Sequence, residues 1–392
     1  MAALGGGDVD WRHGRAAVYV FNAGEDLERV QKGAYTLYMA ENGLGPSAFP
    51  SLKAMEEAVI GYGLSLLHAP DDAAGAITSG GTDSITMAMK AARDFARQEL
   101  GAEGPLNIVL PRSAHLAFDK AAALMEIEVR RTSLKDLLAD PAAMDAAVDE
   151  RTMMIVGSAP CFPYGLIDPI GKLGALAQAR NLWLHVDACV GGYAAPFVRM
   201  NGADIPPFDF EVPAVRSMSA DLHKYGFCAK GASTVLFRSQ DLYKRMLFDF
   251  RDWPGGRMVT PTLAGTRPGG AIAAAYAVMN YLGIEGYRAR HKQVTDARET
   301  IEAGLRERGY AVQGWPQLGL IAYAGMPSAP VLWLKLRERG WFTSTTSEPS
   351  GLHLMLSPVH AGVAQTYLDD LDWAARELDA APRKGAAPRY GA

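Results

Sequence analysis

The stretch 217–231, SMSADLHKYGFCAKG, sets His223 and Lys224 among apolar and aromatic neighbours. Burying an ammonium is costly, and the usual response is a depressed pKa. A neutral, positioned amine is what Schiff-base chemistry on an aldehyde requires. A surface lysine after a strand is the bland alternative, and three other stretches weigh against it. Residues 77–84, ITSGGTDS, precede an apolar stripe of Ile85, Ala88, Met89, Ala92, Ala96 and Leu100. There Gly80 and Gly81 let backbone approach a ligand, and Ser79, Thr82 and Ser84 offer hydroxyls. With the N–H groups of a helix start they form a cup for a phosphate monoester. In 183–192, WLHVDACVGG, His185 and Asp187 alternate with apolar residues at strand period, and a turn follows at Gly191 and Gly192. An aspartate ending a buried strand needs a cationic partner, and a protonated pyridine nitrogen would serve. In 112–121, RSAHLAFDKA, His115 follows an apolar strand, where the carboxyl ends of an α/β sheet meet ligands. Cup, aspartate and lysine, in that order, match the phosphate, ring nitrogen and aldehyde of pyridoxal 5′-phosphate (PLP).

These residues need a scaffold. Strand-like runs fall at 107–110, 128–132, 153–158, 183–187, 215–220 and 233–237, with helical patterns between several of them. Such alternation predicts a mainly parallel sheet covered on both faces. Helical periodicity is also read over 27–40, 52–67 and 271–297, and a helix with a loop over 241–253. Residues 16–21 are a short apolar stretch, and 42–51, NGLGPSAFPS, a Gly/Pro-punctuated loop. The division expected is an N-terminal arm with helices over 1–60, with 1–15 mobile, and a large cofactor-binding domain over 61–275. A smaller α+β domain over 276–379 follows, with elements at 300–308, 315–324, 329–339 and 353–356, then a disordered tail over 380–392. No internal repeat is present.

Apolar content of 49% and charged content of 21% in 392 residues describe a globular chain able to bury a large core. A net charge of −4 gives no reason to expect nucleic acid or an anionic membrane as partner. The three cysteines, Cys161, Cys189 and Cys228, have neither metal-ligand nor disulfide-framework spacing. No metal is expected, and buried thiols in a reducing compartment are. The N-terminal MAALGGGDVDWRHG lacks an apolar core and no apolar run reaches spanning length, so neither a secretion signal nor a membrane span is expected.

Six motifs in order, TSGGTDS, SAHLAFDKAA, GSAPCFPYGLIDPI, HVDACVGG, SMSADLHKYGFCAKG and PTLAGTRPGG, carry a resemblance that runs from about Gly14 to Leu371. The chain resembles the group II PLP-dependent decarboxylases and, within them, the sphingosine-1-phosphate lyase branch. The resemblance implies PLP-dependent transferase fold type I and a homodimer with sites shared across its interface. It implies Lys224 as the Schiff-base lysine, Asp187 on the ring nitrogen and His115 stacked on the ring. His223 with Ser79, Gly80, Gly81 and Thr82 would hold the phosphate, with Ser158 and Ser219 close to the cofactor. Tyr164 would stand at the substrate as a proton donor or acceptor, although a core-facing tyrosine reads as well. Gly265 and Thr266 would reach the partner's cofactor phosphate. Tyr19 and Lys230 match positions that meet a substrate phosphate; a tyrosine packed at a domain edge is the other reading of Tyr19. Gly45 stands where the family usually has a histidine. Eukaryotic members carry a membrane anchor; this chain resembles the soluble bacterial form and is expected in the cytoplasm. Two bond cleavages of a small-molecule amine remain open. Breaking Cα–Cβ of a 2-amino-3-hydroxy compound, phosphorylated and sphingoid-base-like, gives an aldehyde and an amine, and breaking Cα–COO⁻ gives an amino-acid decarboxylase. A PLP-binding protein without turnover is the third reading.

Overall fold

The computed structural model describes residues 4–325 and 328–379; the tail expected to be disordered lies outside them. In chain order the first elements are α1 (Glu25–Leu37), α2 (Pro50–Leu66), β1 (Ala74–Thr78), α3 (Gly81–Glu99), β2 (Asn107–Pro111), α4 (Ala117–Met125) and β3 (Glu128–Thr132). A small hairpin of β4 (Leu134–Lys135) and β5 (Leu138–Ala139) precedes α5 (Pro141–Ala147), β6 (Thr152–Ser158), α6 (Ile170–Arg180), β7 (Trp183–Asp187) and α7 (Ala195–Met200). Then come β8 (Val215–Ala220), β9 (Ser233–Phe237), α8 (Gln240–Lys244), β10 (Phe248–Phe250) and β11 (Met258–Thr260). The chain closes with α9 (Gly269–Glu307), β12 (Ala311–Val312), β13 (Leu320–Ala324), α10 (Ala329–Glu338), β14 (Ser344–Ser347), β15 (Ser350–Met355) and α11 (Ala364–Asp379).

Seven strands form one sheet in the order β1-β9-β8-β7-β6-β2-β3. From β8 to β3 all neighbours are parallel, while β9 runs antiparallel to both β8 and β1. This is the mainly parallel sheet read from the sequence, and its inner strands β6, β7 and β9 are buried along their whole length because helices cover both faces. Strand β1 was not anticipated: AGAIT is short and carries one β-branched pair, so its pairing with β9 rather than its propensity makes it a strand.

A second, antiparallel sheet, β12-β13-β15-β14, packs with α10 and α11. Helix α9 joins the two regions, touching α1, α2 and α7 on one side and α11, β12 and β13 on the other. It continues past the expected end at 297, since Arg298 and Glu299 offer no stop signal, and absorbs the element expected at 300–308. Its one break is Gly283, whose φ of 54° leaves the helical region. Only the start of 241–253 is helical, and Phe248 opens a hairpin instead. Arg15, expected in a mobile arm, is tied to Asp370 at 2.8 Å.

Candidate functional site

The carboxyl ends of β6, β7 and β8 lie side by side, with Ser158 opposite Asp187 and Asp187 opposite Ser219. The side chain of Asp187 is fixed there: its Oδ1 accepts from the Cys189 N–H at 3.1 Å and the Ser219 hydroxyl at 3.2 Å. Ser158 is also anchored, its N–H donating to Asp168 Oδ2 at 2.8 Å, and its hydroxyl is buried with no protein partner among the described residues. Asp168 itself is fully buried, and burial pushes its carboxyl up to about 6 against two backbone N–H donors, Ala139 and Ser158.

The turn after β8 presents the lysine. Leu222, Tyr225 and Phe227 are fully buried anchors, while His223 and Lys224 between them face a cavity. The anchors are clamped by α9 and the C-terminal region: Tyr225 Oη donates to Leu356 O and Tyr287 Oη to Gly226 O, both at 2.7 Å. A Cβ on Gly226 would stand 2.5 Å from Leu222 O, so only glycine closes this turn.

One cavity of ≈380 Å³ collects Ser79, Gly80, Gly81, Thr82, His115, Asp187, His223 and Lys224, eight of the residues singled out in the sequence. Cys189, Asp221 and Phe162 line it too. The cup is the start of α3, which carries no side-chain cap. Gly81 is required, since a Cβ there would lie 2.7 Å from Cys189 Sγ, and Gly80 is tight, its Cβ falling 3.3 Å from the His223 ring. His223 Nδ1 is buried without a hydrogen-bond partner among the described residues. Burial lowers the His223 imidazole to about 4, so the ring is neutral and its unmatched nitrogen is suited to a phosphate donor or acceptor. An uncapped helix start, a glycine cradle, a strand-end carboxylate and a lysine in one cavity fit PLP in size and in donor chemistry.

One sequence expectation is overturned. Lys224 was read as a neutral amine with a depressed pKa. Burial does push its ammonium down, but Asp221 Oδ2 sits 2.9 Å away and, with Cys189 and Asp187, drives the net shift upward. Asp221 is buried as well; burial pushes its carboxyl up, but the Lys224 ammonium beside it outweighs burial and holds the carboxyl below the ordinary range. The lysine rests as half of an ion pair. Asp221 was legible as a carboxylate three residues before Lys224 within one motif, but only the turn shows that the two side chains meet.

His115 sits in the loop between β2 and α4, its Nδ1 accepting from the Ala117 N–H at 3.1 Å. Burial lowers its pKa, so the neutral ring carries its proton on Nε2. His115 and Phe162 also line a second chamber of ≈610 Å³, walled by Leu116, Leu134, Leu137, Tyr164 and the β14–β15 hairpin tip. Tyr164 is there, not in the first cavity, with its hydroxyl donating to Glu348 O and its phenol pushed up by burial.

Tyr19 and Lys230 are brought to each other. Lys230 Nζ donates to Tyr19 O at 2.7 Å and to His223 O at 3.1 Å, over the Phe21 ring. Desolvation and the Lys224 charge push the Lys230 amine down to about 8, with the Asp221 charge opposing them. The Tyr19 ring leans on Phe342, with its backbone at φ 66°. Thr266 lines a small space with Ser79 and Asp83 of the same chain, and Asn42 in the Gly45 loop donates to its hydroxyl at 3.3 Å.

Comparison with known proteins bears on this site. The pyridoxal-dependent decarboxylase conserved domain matches residues 10–323. A sphingosine-1-phosphate lyase of Oryza sativa subsp. japonica is 37% identical over 400 residues, covering 98% of this chain and 74% of that protein. The solved sphingosine-1-phosphate lyase of Burkholderia pseudomallei superposes with a TM-score of 0.89 at 36% identity, covering 93% of this chain and 86% of that one. The glutamate decarboxylase of Lactobacillus brevis, 21% identical with a TM-score of 0.84, covers 98% of this chain and 92% of its own and shares the fold.

Proposed function

The chain belongs to the pyridoxal-dependent decarboxylase family, and from that premise we propose a carbon–carbon lyase that cleaves a phosphorylated, sphingoid-base-like 2-amino-3-hydroxy substrate to an aldehyde and an amine. The carrying observation is a single cavity that holds Lys224, Asp187, His115 and the 79–82 cup, with a larger chamber opening beside it at His115 and Phe162. The chain is a PLP-dependent lyase, and the Oryza sativa and Burkholderia pseudomallei relatives, matched over nearly its whole length, are named sphingosine-1-phosphate lyases.

Bound PLP supplies an electron sink conjugated to the substrate amine. The rest falls to the chain. The cup and His223 would hold the phosphate, and Asp187 would keep the ring nitrogen protonated. His115, neutral and aimed by Ala117, would cover the ring face. Lys224 is the amine that would hold the cofactor aldehyde and the group that would return a proton to Cα, and Asp221 keeps that amine in place at 2.9 Å. As Cα–Cβ breaks, the 3-hydroxyl loses its proton, and Tyr164 in the larger chamber is the phenol that would handle it. The larger chamber, with its leucine walls, takes the remainder of the substrate.

Assay of both products tests the reading: phosphorylated long-chain bases should release an aldehyde, and an L-amino-acid panel should release no carbon dioxide. Within it, Lys230→Ala should raise the apparent KM for a phosphorylated substrate about tenfold, the worth of one charged donor, and leave the unphosphorylated analogue unchanged. That contribution should fade as pH rises through about 8, where the Lys230 ammonium loses its proton. Gly45→His should lower the same KM, since a Cβ at Gly45 meets only Ala48 Cβ, at 3.7 Å. If neither variant separates the matched substrates and carbon dioxide appears, the decarboxylase reading replaces this one.

The functional unit is a homodimer. Phe248, Phe250, Trp253, Val259 and Leu263, the last 68% exposed, follow one another on and after the β10–β11 hairpin, an apolar surface of the kind that subunits cover. A site shared across that contact makes a specific forecast. Lys224→Ala protomers mixed with Thr266→Tyr protomers should regain activity in heterodimers; an inactive mixture with proven subunit exchange would assign Thr266 to the cup of its own chain. A reducing cytoplasm suits the three buried free thiols. Among the described residues no helix is long and apolar enough to cross a membrane.

A further inference from the structure

Behind Asp187 runs a chain of buried polar groups that the proposed chemistry leaves unused. Trp183 and His185 lie on β7, and Ser217 and Ser219 on the neighbouring β8. Trp183 Nε1 is 2.8 Å from Ser217 Oγ, which is 2.8 Å from His185 Nδ1. On the other side of the ring, His185 Nε2 is 3.3 Å from Ser219 Oγ, and Ser219 Oγ is 3.2 Å from Asp187 Oδ1. His185, Ser217 and Ser219 have no exposed surface, and Trp183 has almost none.

Both ends of this chain have fixed polarity, and that fixes every proton between them. An indole N–H can only donate, and a carboxylate can only accept. Ser217 therefore accepts from Trp183 and gives its own proton to His185 Nδ1. Nδ1 is thereby the unprotonated nitrogen, so the ring carries its hydrogen on Nε2. That hydrogen goes to Ser219 Oγ, whose hydroxyl points at Asp187. Burial, working against the Asp187 charge, lowers His185 to about 4, so the ring is neutral, as this arrangement requires. The period-two alternation of both strands puts all four side chains on one face of the sheet, in two cross-strand rows.

We propose that His185 is a positioning residue, locked in its Nε2–H tautomer by Ser217 and Trp183, which through Ser219 keeps Asp187 aimed at the cofactor ring nitrogen. This rests on Asp187 meeting that nitrogen. If Ser217 cannot donate, His185 is free to move its hydrogen to Nδ1, and the Ser219 hydroxyl turns to the bare Nε2 and leaves Asp187. The carboxylate then becomes more basic, and the proton it shares with the ring nitrogen moves toward oxygen. The other titratable groups acting with the Asp187 charge, His115, Asp168, Cys189 and Lys224, are untouched by a change at Ser217.

The test uses holoenzyme loaded with PLP carrying an isotope label at the ring nitrogen. The NMR position of that nitrogen and the rate of cofactor release are read for Ser217→Ala, Ser217→Thr, Phe118→Leu and Asp187→Asn. Ser217→Ala should move the resonance toward the unprotonated value and speed release about tenfold, one charged hydrogen bond's worth. Ser217→Thr, which keeps the hydroxyl, should restore the parent values. Phe118 packs edge-on against the His185 ring at 5.8 Å without joining the chain, so Phe118→Leu should lower the melting temperature and leave the resonance alone. A PLP analogue with carbon in place of the ring nitrogen should be released at the same rate from parent and Ser217→Ala protein. A resonance that moves in Asp187→Asn but not in Ser217→Ala, or equally in Ser217→Ala and Phe118→Leu, overturns the relay. One that stays put in Asp187→Asn as well overturns the placement of Asp187 on which the relay rests.

Discussion

Replacing Lys224 by alanine should abolish turnover and the near-visible band of the bound cofactor, and replacing it by arginine should do the same. The two variants separate chemistry from stability. Lys224 keeps 25% of its side-chain surface open to the cavity, while its partner Asp221 keeps 1%. In Lys224→Ala that carboxylate is left buried without its cation, a loss on the order of 3 kcal/mol. Arginine retains the charge beside Asp221 but never sheds its proton at working pH, so it cannot capture an aldehyde. Lys224→Arg should therefore melt closer to the parent than Lys224→Ala and be equally inactive. The stability gap also has a sign in pH. Lys224 holds the folded-state carboxyl of Asp221 below its unfolded value, so the pair stabilises above about pH 4 and the benefit is lost as pH falls through the folded pKa. The deficit of Lys224→Ala should be full at neutral pH and shrink in acid. Survival of the band, still reducible by borohydride, would show that another amine holds the cofactor.

Asp187→Asn should cost about a thousandfold in the rate of the chemical step, or ~4 kcal/mol in its barrier, with cofactor still bound. Asparagine has the same shape and its Oδ1 can still accept from Cys189 N and Ser219, so the strand end and the cup stay in place. What it loses is the anion. A neutral amide cannot hold a proton on the pyridine nitrogen, and a charge-assisted hydrogen bond becomes an ordinary one. Single-turnover rates measured at full cofactor occupancy give the comparison, and a rate near that of the parent would remove Asp187 from the ring nitrogen.

Much of this was written in residue order. The strands 183–187 and 233–237 fall where their patterns placed them, and both are buried along their whole length inside the sheet; 128–132, EVRRT, is a polar edge strand whose bounds agree all the same. The cup was legible because contact demands a glycine there: a Cβ at Gly81 would meet Cys189 Sγ at 2.7 Å. Where local pattern is weak, the sequence was silent. The five residues of β1 become a strand by pairing with β9, and Phe248 opens a hairpin within a stretch read as helix and loop. The sequence also established that Lys224 lies among apolar residues, and from that alone a depressed pKa follows. Tertiary structure reversed the sign by folding Asp221 back to 2.9 Å from the amine. Burial can be read from composition, whereas the charge state of a buried group depends on which partner the turn brings within hydrogen-bond reach. His185 shows the same limit. Its alternation with Asp187 was visible along β7, but its tautomer is set across strands, by serines that only the register of β7 against β8 delivers.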